Sequence, residues 1–216
     1  MKAPTISRER CAWDAGRLLV GVDEVGRGPL AGPVVAAAVA FPPNAGRILR
    51  LRDSKVLTAR RREHLAALIQ RRAVVFGIGA SSARLIDRVN IRVATAIAMR
   101  RALARALGGS SRSPLPSPCS RLAILVDGLW FRELGVEHEA LVDGDALCYS
   151  IAAAGVVAKV VRDRLMQRLA QRHPAYGWES NMGYATAEHL AAIQAAGPCR
   201  HHRRSFTPVT QTRLAL

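Results

Sequence analysis

The chain has 216 residues, half of them hydrophobic, and a formal net charge of +16. That length accommodates one well-packed domain, and the apolar content excludes a disordered chain. The basic surplus is almost all Arg (only Lys2, Lys55 and Lys159 are Lys), and it points to a polyanionic partner, nucleic acid before anionic lipid.

In chain order, residues 1–14 (MKAPTISRERCAWD) read as a polar tail without the apolar centre of a signal peptide. Residues 17–23 read as a strand, and residues 32–41 (GPVVAAAVAF) as a second one returning beside it. Residues 52–56 (RDSKV) form a polar connection. Thr58 is placed to N-cap a helix reaching Arg72, with Leu65, Leu68 and Ile69 at helical spacing. A third strand is expected over 73–80 and a long helix over 91–107, with Val93, Ile97, Leu103 and Leu107 along one side. Residues 108–120 (GGSSRSPLPSPCS) are the one low-complexity stretch and read as a loop inside the domain.

A fourth strand covers 122–126 and ends at Asp127-Gly128, a short fifth covers 139–142, and an Ala-rich helix spans 146–172. A last helix, 186–196, stops at Gly197-Pro198. Strands and helices mix without strict alternation, so a mixed sheet flanked by helices fits better than a doubly wound parallel sheet. The domain is drawn as 15–210, with 211–216 a C-terminal tail. The longest apolar run, 151–161, is too short to span a bilayer and is broken by Lys159. Cys11, Cys119, Cys148 and Cys199 form no C-x-x-C pair, so neither a zinc site nor a disulfide framework is indicated. A monomer without membrane attachment, in a reducing cytoplasm, is the expectation.

The acids carry the chemistry. Asp23 and Asp127 each follow an apolar strand, in VGVD and ILVD; Glu24 adjoins the first, and Asp145 opens a helix at VDGDA. Oxygen-only ligands at such places suit Mg²⁺ or Mn²⁺, and two such ions can activate water and stabilise the leaving oxygen of a phosphodiester. Taken singly, Asp145 also reads as a helix cap and Asp127-Gly128 as a turn. Neighbouring strand residues face opposite ways. The strand is therefore expected to end or bulge at Asp23-Glu24, or Glu24 to ligate through its carbonyl.

The segment GVDEVGRGPLAGPVVAAAV at 21–39 resembles the opening of ribonuclease HII. The resemblance continues in order through DSKVL (53–57), DRVNI (87–91), VDG (126–128), GD (144–145), AKVVRDRLM (158–166), YG (176–177), GYAT (183–186) and HRRSF (202–206). It implies a ribonuclease H-like α/β fold with a helical C-terminal part. It also implies hydrolysis of the RNA strand of RNA–DNA hybrids and cutting 5′ of ribonucleotides embedded in duplex DNA, leaving 3′-hydroxyl and 5′-phosphate ends. Asp23, Glu24, Asp127 and Asp145 match the family's metal-binding acids. Gly26, Arg27 and Gly28 match its loop for the ribose 2′-hydroxyl, Ser54 and Lys55 its phosphate contacts, and Tyr176 its aromatic against the junction sugar.

Several positions depart from that pattern. Asp143 stands where many relatives have Lys, Val56 replaces a Lys, Gly155 a Ser, and Asn181-Met182 the usual His-Lys. These departures touch substrate affinity and leave the acids intact. The lack of an additional N-terminal module favours type HII over type HIII. Asp163, within R-D-R, is expected to form ion pairs. His202, in HHRRSF, is expected on a basic surface near the duplex. Two rivals remain open here: a junction-resolving nuclease on the same fold, and a catalytically weak relative that only binds nucleic acid.

Overall fold

The computed structural model describes residues 4–46, 48, 51, 58–108, 122–207 and 209–210. Five strands make one mixed sheet: β1 (Leu18–Val25), β2 (Val34–Ala40), β3 (Val75–Ser81), β4 (Leu122–Asp127) and β5 (Glu139–Leu141), ordered β3-β2-β1-β4-β5. β2 runs antiparallel to both β1 and β3, whereas β4 is parallel to β1 and to β5. The helices are α1 (Ser7–Asp14), α2 (Ala59–Arg72), α3 (Ala83–Ala106), α4 (Gly144–Leu147), α5 (Tyr149–Arg172), α6 (Trp178–Asn181) and α7 (Ala187–Ala196).

Strand β2, VVAAAVA, is buried at every residue because both its faces are covered. Val34, Ala36, Ala38 and Ala40 join the core that includes Met99, Ala102 and Leu103 of α3. Val35, Ala37 and Val39 join Ala153, Val156 and Val157 of α5, with Leu65 and Ile69 of α2 outside them. The same alternation fixes β1. Val20 and Val22 face α3, while Gly21 lies so close to α5 that an added Cβ would overlap the Ser150–Ile151 backbone. By that parity Asp23 points to the α5 side and Glu24 to the α3 side.

Four local expectations change. Residues 7–14 form α1, whose buried Glu9 accepts the Ser150 N–H at 2.7 Å and sits 3.2 Å from Cys148 Sγ, so the segment is no free tail. β1 neither ends nor bulges at Asp23-Glu24, since its register with β2 runs evenly from Gly21↔Val39 to Val25↔Val35; its pairing with β4 is what stops, at Val22↔Val126. α3 begins at Ala83, eight residues before the expected start. Its backbone is broken at Asn90 (φ 68°), whose Oδ1 caps the Val93 N–H at 3.0 Å. The Ala-rich helix is divided at Cys148, so Asp145 belongs to the separate turn α4. The readings at 52–56 and 211–216, and at 109–120 of the low-complexity loop, lie outside the described residues.

Candidate active site

The parallel ends of β1 and β4 bring the acids together. Asp23 is 7% exposed and accepts the Glu24 N–H on Oδ1 at 2.6 Å. Asp127 has the parity of Leu125, which packs beside Leu19 and Ile151 on the α5 side. Its Oδ1 accepts the Gly144 N–H at 2.7 Å, which ties β4 to the turn carrying Asp145. Burial pushes Asp23 well above the usual carboxylate range, and the charges of Glu24, Asp127 and Asp145 push it further. Glu24 is also raised, first by burial, although the Arg27 guanidinium 3.2 Å from Oε1 works against this. Glu24 Oε2 is buried and has no hydrogen-bond partner among the described residues. Gly155 of α5 leaves Asp23 its space, because a Cβ there would overlap Asp23 Oδ2.

This donor set fits a hard divalent cation. It is all oxygen and mutually repulsive, Asp23 at its centre is buried and the other three are half-buried, and Glu24 Oε2 has no hydrogen-bond partner among the described residues. Among the described residues no three side chains of metal-binding type converge closely enough to enclose an ion by themselves. An ion held by these acids would complete its coordination with water and substrate oxygens, as Mg²⁺ ordinarily does.

Beside the acids lies the loop from Gly26 to Pro33, and two fully buried arginines hold it. Arg203 donates to the carbonyls of Gly26 (2.5 Å), Arg27 (2.7 Å) and Gly32 (3.0 Å). Arg162 donates to those of Pro33 (3.1 Å), Ala31 (3.2 Å) and Met182 (3.1 Å). Burial lowers both guanidinium groups, Arg203 to about 9. Gly26 has φ 96°, and a Cβ there would overlap the Arg162 side chain, so only glycine fits. The loop backbone is also joined to Gly183 and Arg203, through Leu30 N–H to Gly183 O and Arg203 N–H to Leu30 O, each 2.7 Å. Motifs far apart in sequence (GRG, AKVVRD, GYAT and HRRSF) thus build one structure.

Two sequence expectations are corrected here. Tyr176 is not available to a sugar: it is 7% exposed, stacks on Trp178 with centroids 5.0 Å apart, and donates its hydroxyl to Gly197 O at 2.8 Å. The exposed tyrosine at this place is Tyr184 of GYAT, 46% exposed, its ring 3.9 Å from where a Gly28 Cβ would lie. Its signal in the sequence was the flanking glycine, which turns the chain outward from the buried Asn181. His202 and Arg203 are buried, not a basic surface: His202 accepts the Cys199 N–H and lies 3.1 Å from His189 Nε2. Sequence reasoning also missed Arg162 and Arg203 as the supports of the loop; their place in AKVVRD and HRRSF was the available sign.

Asp163 pairs with Lys159 (2.7 Å) and Arg62 (3.3 Å), as its context predicts. Asp143 is exposed and left-handed (φ 53°), one residue before the Gly144 N–H that Asp127 engages. Ser54, Lys55 and Val56 lie outside the described residues.

Residues 20–209 match the ribonuclease HII family. The chain is 54% identical over 193 residues to the ribonuclease HII of Cereibacter sphaeroides, covering 88% of this chain and 84% of that one. Its fold is similar to that of ribonuclease H2 from Pyrococcus horikoshii OT3, with a TM-score of 0.71 at 25% identity over 92% of this chain and 98% of that one. Bst-RNase HIII, solved in complex with Mn²⁺, shares the fold at a TM-score of 0.69 and 20% identity, over 93% of this chain and 70% of that one.

Proposed function

Because the chain belongs to the ribonuclease HII family, whose members are metal-dependent ribonuclease H hydrolases, we propose that Asp23, Glu24, Asp127 and Asp145 are its metal ligands. The substrates in this reading are RNA–DNA hybrids and duplex DNA containing single ribonucleotides, cut 5′ of the ribonucleotide to leave 3′-hydroxyl and 5′-phosphate ends. The observation that supports it is the buried Asp23 carboxylate, raised by burial and by the like charges of the half-buried Glu24, Asp127 and Asp145 gathered around it. When bound, two Mn²⁺ or Mg²⁺ ions supply an activated water and charge stabilisation at the leaving oxygen.

The protein's own residues do the rest. Asp23 and Asp127 are oriented by the Glu24 and Gly144 N–H groups, each of which donates to one carboxylate oxygen, Oδ1. The Gly26–Gly28 backbone, rigid on Arg203, lets a ribose 2′-hydroxyl approach closely, and that hydroxyl is what separates RNA from DNA. Arg27 stands 45% exposed between Glu24 and solvent, where a phosphate can draw it away. Tyr184 offers its ring beside Gly28 as the sugar platform first assigned to Tyr176. A cytoplasmic monomer acting on nucleic acid is part of this reading; no described helix is long and apolar enough to cross a membrane.

The deciding experiment incubates the protein with a DNA duplex carrying one ribonucleotide, in Mg²⁺, in Mn²⁺ and in EDTA. Metal-dependent incision on the 5′ side of the ribonucleotide is expected. Binding without incision in either metal would leave the idle-relative reading standing.

A further inference from the structure

The end of the sheet that carries the acids extends past them. Val25 pairs with Val35 and Val34 with Ser81, so the start of β2 and the end of β3 lie at the same edge as Asp23 and Asp127. β3 is two strand spacings from β1, about 10 Å. There, two adjoining cavities of 590 and 360 Å³ share Pro33, Ser82 and Leu165 and run between α3 and α5.

The described walls of both cavities carry no carboxylate. They carry instead Arg84 and Arg88 of α3, and Arg168 and Arg172 of α5, all exposed. None of these four has an ion pair or side-chain hydrogen bond among the described residues; the nearby acids Asp87 and Asp163 are engaged by Arg204–Ser205 and by Lys159 with Arg62. Each arginine pair is spaced i,i+4, an arrangement that costs a helix a few tenths of a kcal/mol by like-charge repulsion. Folding alone therefore disfavours this groove. A repeated anion spanning the two helices would repay the cost, and a single small anion would reach only part of it.

We propose that the groove between α3 and α5, lined by Arg84, Arg88, Arg168 and Arg172, is a second phosphate track that holds one arm of the duplex away from the cut. It rests on the nuclease reading above and adds where the duplex runs. Gly32, which lines the smaller cavity, belongs to the loop fixed by Arg203, so the track is continuous with the candidate site. At 3.4 Å per base pair, 10 Å along the sheet edge puts the first contact about three pairs from the incised bond.

The test compares the wild type with the quadruple variants R84A/R88A/R168A/R172A and R84K/R88K/R168K/R172K, all confirmed folded by thermal melting. Three DNA duplexes each carry one ribonucleotide: one with two long arms, and two with one arm or the other trimmed to about three pairs. Affinity is titrated against salt in EDTA, and incision in Mg²⁺ is timed at saturating protein. On the long duplex the Ala variant is expected to lose about three to four units of the log K against log salt slope, at roughly 0.9 per phosphate contact. Trimming one particular arm should erase that difference, trimming the other should not, and the Lys variant should keep the wild-type slope. The rate at saturation should stay within about twofold of wild type. Equal slopes for wild type and Ala variant, or a slope loss of the same size on all three duplexes, would overturn the track. If the wild type incises none of them, the nuclease reading fails separately, while the salt slopes still judge the groove.

Discussion

The two sides of the Gly26–Pro33 loop each bury charge, and they do so in opposite ways. On one side Arg162 and Arg203 are fully buried, and their guanidinium groups donate to the backbone carbonyls of Gly26, Arg27, Ala31, Gly32, Pro33 and Met182, with Arg162 Nη1 left without a partner among the described residues. On the other side Asp23 is surrounded by Glu24, Asp127 and Asp145, and Glu24, paired with Arg27 through Oε1, leaves Oε2 without a hydrogen-bond partner among the described residues. Burying a charge costs several kcal/mol unless something answers it. Where the chain itself answers, the charge is part of the scaffold. Where it does not, the fold carries a deficit that a bound cation removes, and such local inconsistencies mark function.

The sharpest way to break this contrast is to neutralise each side. Asp23→Asn and Asp127→Asn keep an oxygen for the Glu24 or Gly144 N–H while removing a charge. Each is expected to lower incision by about 10³-fold or more and, in EDTA, to raise the melting temperature. Incision at the wild-type rate in either variant, in Mg²⁺ and Mn²⁺ alike, would end the metal assignment. Neutralising the other side has the reverse sign. Arg203→Ala leaves three carbonyls without their donor and a cavity under the loop, and a loss of about 3–5 kcal/mol is expected in urea unfolding. A loss under about 1 kcal/mol would mean that water replaces the guanidinium and that the scaffold reading is wrong.

What could be read from the sequence follows the same line. Elements built on local chemistry were legible: Thr58 caps α2 as expected, α7 lies within one residue of its expected bounds, and the strands follow their apolar runs. Elements built on distant partners were not. α1 has no long apolar stripe, and it docks through partners far along the chain: Glu9 accepts the Ser150 N–H, and Ala12 packs with Leu19, Leu125 and Ile151. Asn90 breaks α3 by backbone conformation within an otherwise helical pattern, so only its second segment was recognised. The acids stood out in the sequence because Asp23 and Asp127 each follow an apolar run, although only Asp127 closes its strand and Asp23 lies inside β1. The arginines were misread because basic composition suggests a surface, and nothing in HHRRSF reveals carbonyls 170 residues earlier in the chain.

Tyr176 tests the boundary between scaffold and site. Truncating a buried aromatic of this kind costs about 3–5 kcal/mol, so Tyr176→Ala should lower stability and affect long hybrids and single ribonucleotides equally. Tyr184→Ala should leave stability within about 0.5 kcal/mol and impair incision at a single ribonucleotide more. The opposite pattern in the two substrates would return the sugar contact to Tyr176.

The histidines behind the loop sharpen the contrast through pH. His202 is pushed down to about 4, first by burial and then by the His189 charge, and His189 is lowered by burial. The fold favours their neutral forms, so their contribution is complete above about pH 6.5. It is lost as pH falls toward 4. Asp23 runs the other way, since a raised carboxyl penalises the metal-free fold increasingly as pH rises. Melting temperatures in EDTA should therefore fall by a few degrees from pH 6.5 to 4.5 in the wild type, and by less in His202→Asn, which keeps an acceptor for the Cys199 N–H. Parallel curves for the two proteins would remove the histidine pair as the cause.

The smallest expected effect is at Asp143, and it separates charge from backbone. Its carboxylate is exposed and makes no capping hydrogen bond, so it adds negative potential near Asp145 without being part of the scaffold. Its φ of 53° is tolerated by Asp and Asn better than by other side chains. Asp143→Asn should thus keep the wild-type stability and modestly tighten binding to an uncleaved duplex. Asp143→Lys should tighten it more, with a log K against log salt slope steeper by about one unit, and lose about 1 kcal/mol of stability from the left-handed backbone. The Mg²⁺ concentration for half-maximal incision should stay unchanged in both, because an exposed carboxylate is not a ligand. A higher Mg²⁺ requirement in Asp143→Asn would show that this charge does hold the ion, and would move Asp143 from the rim of the site into it.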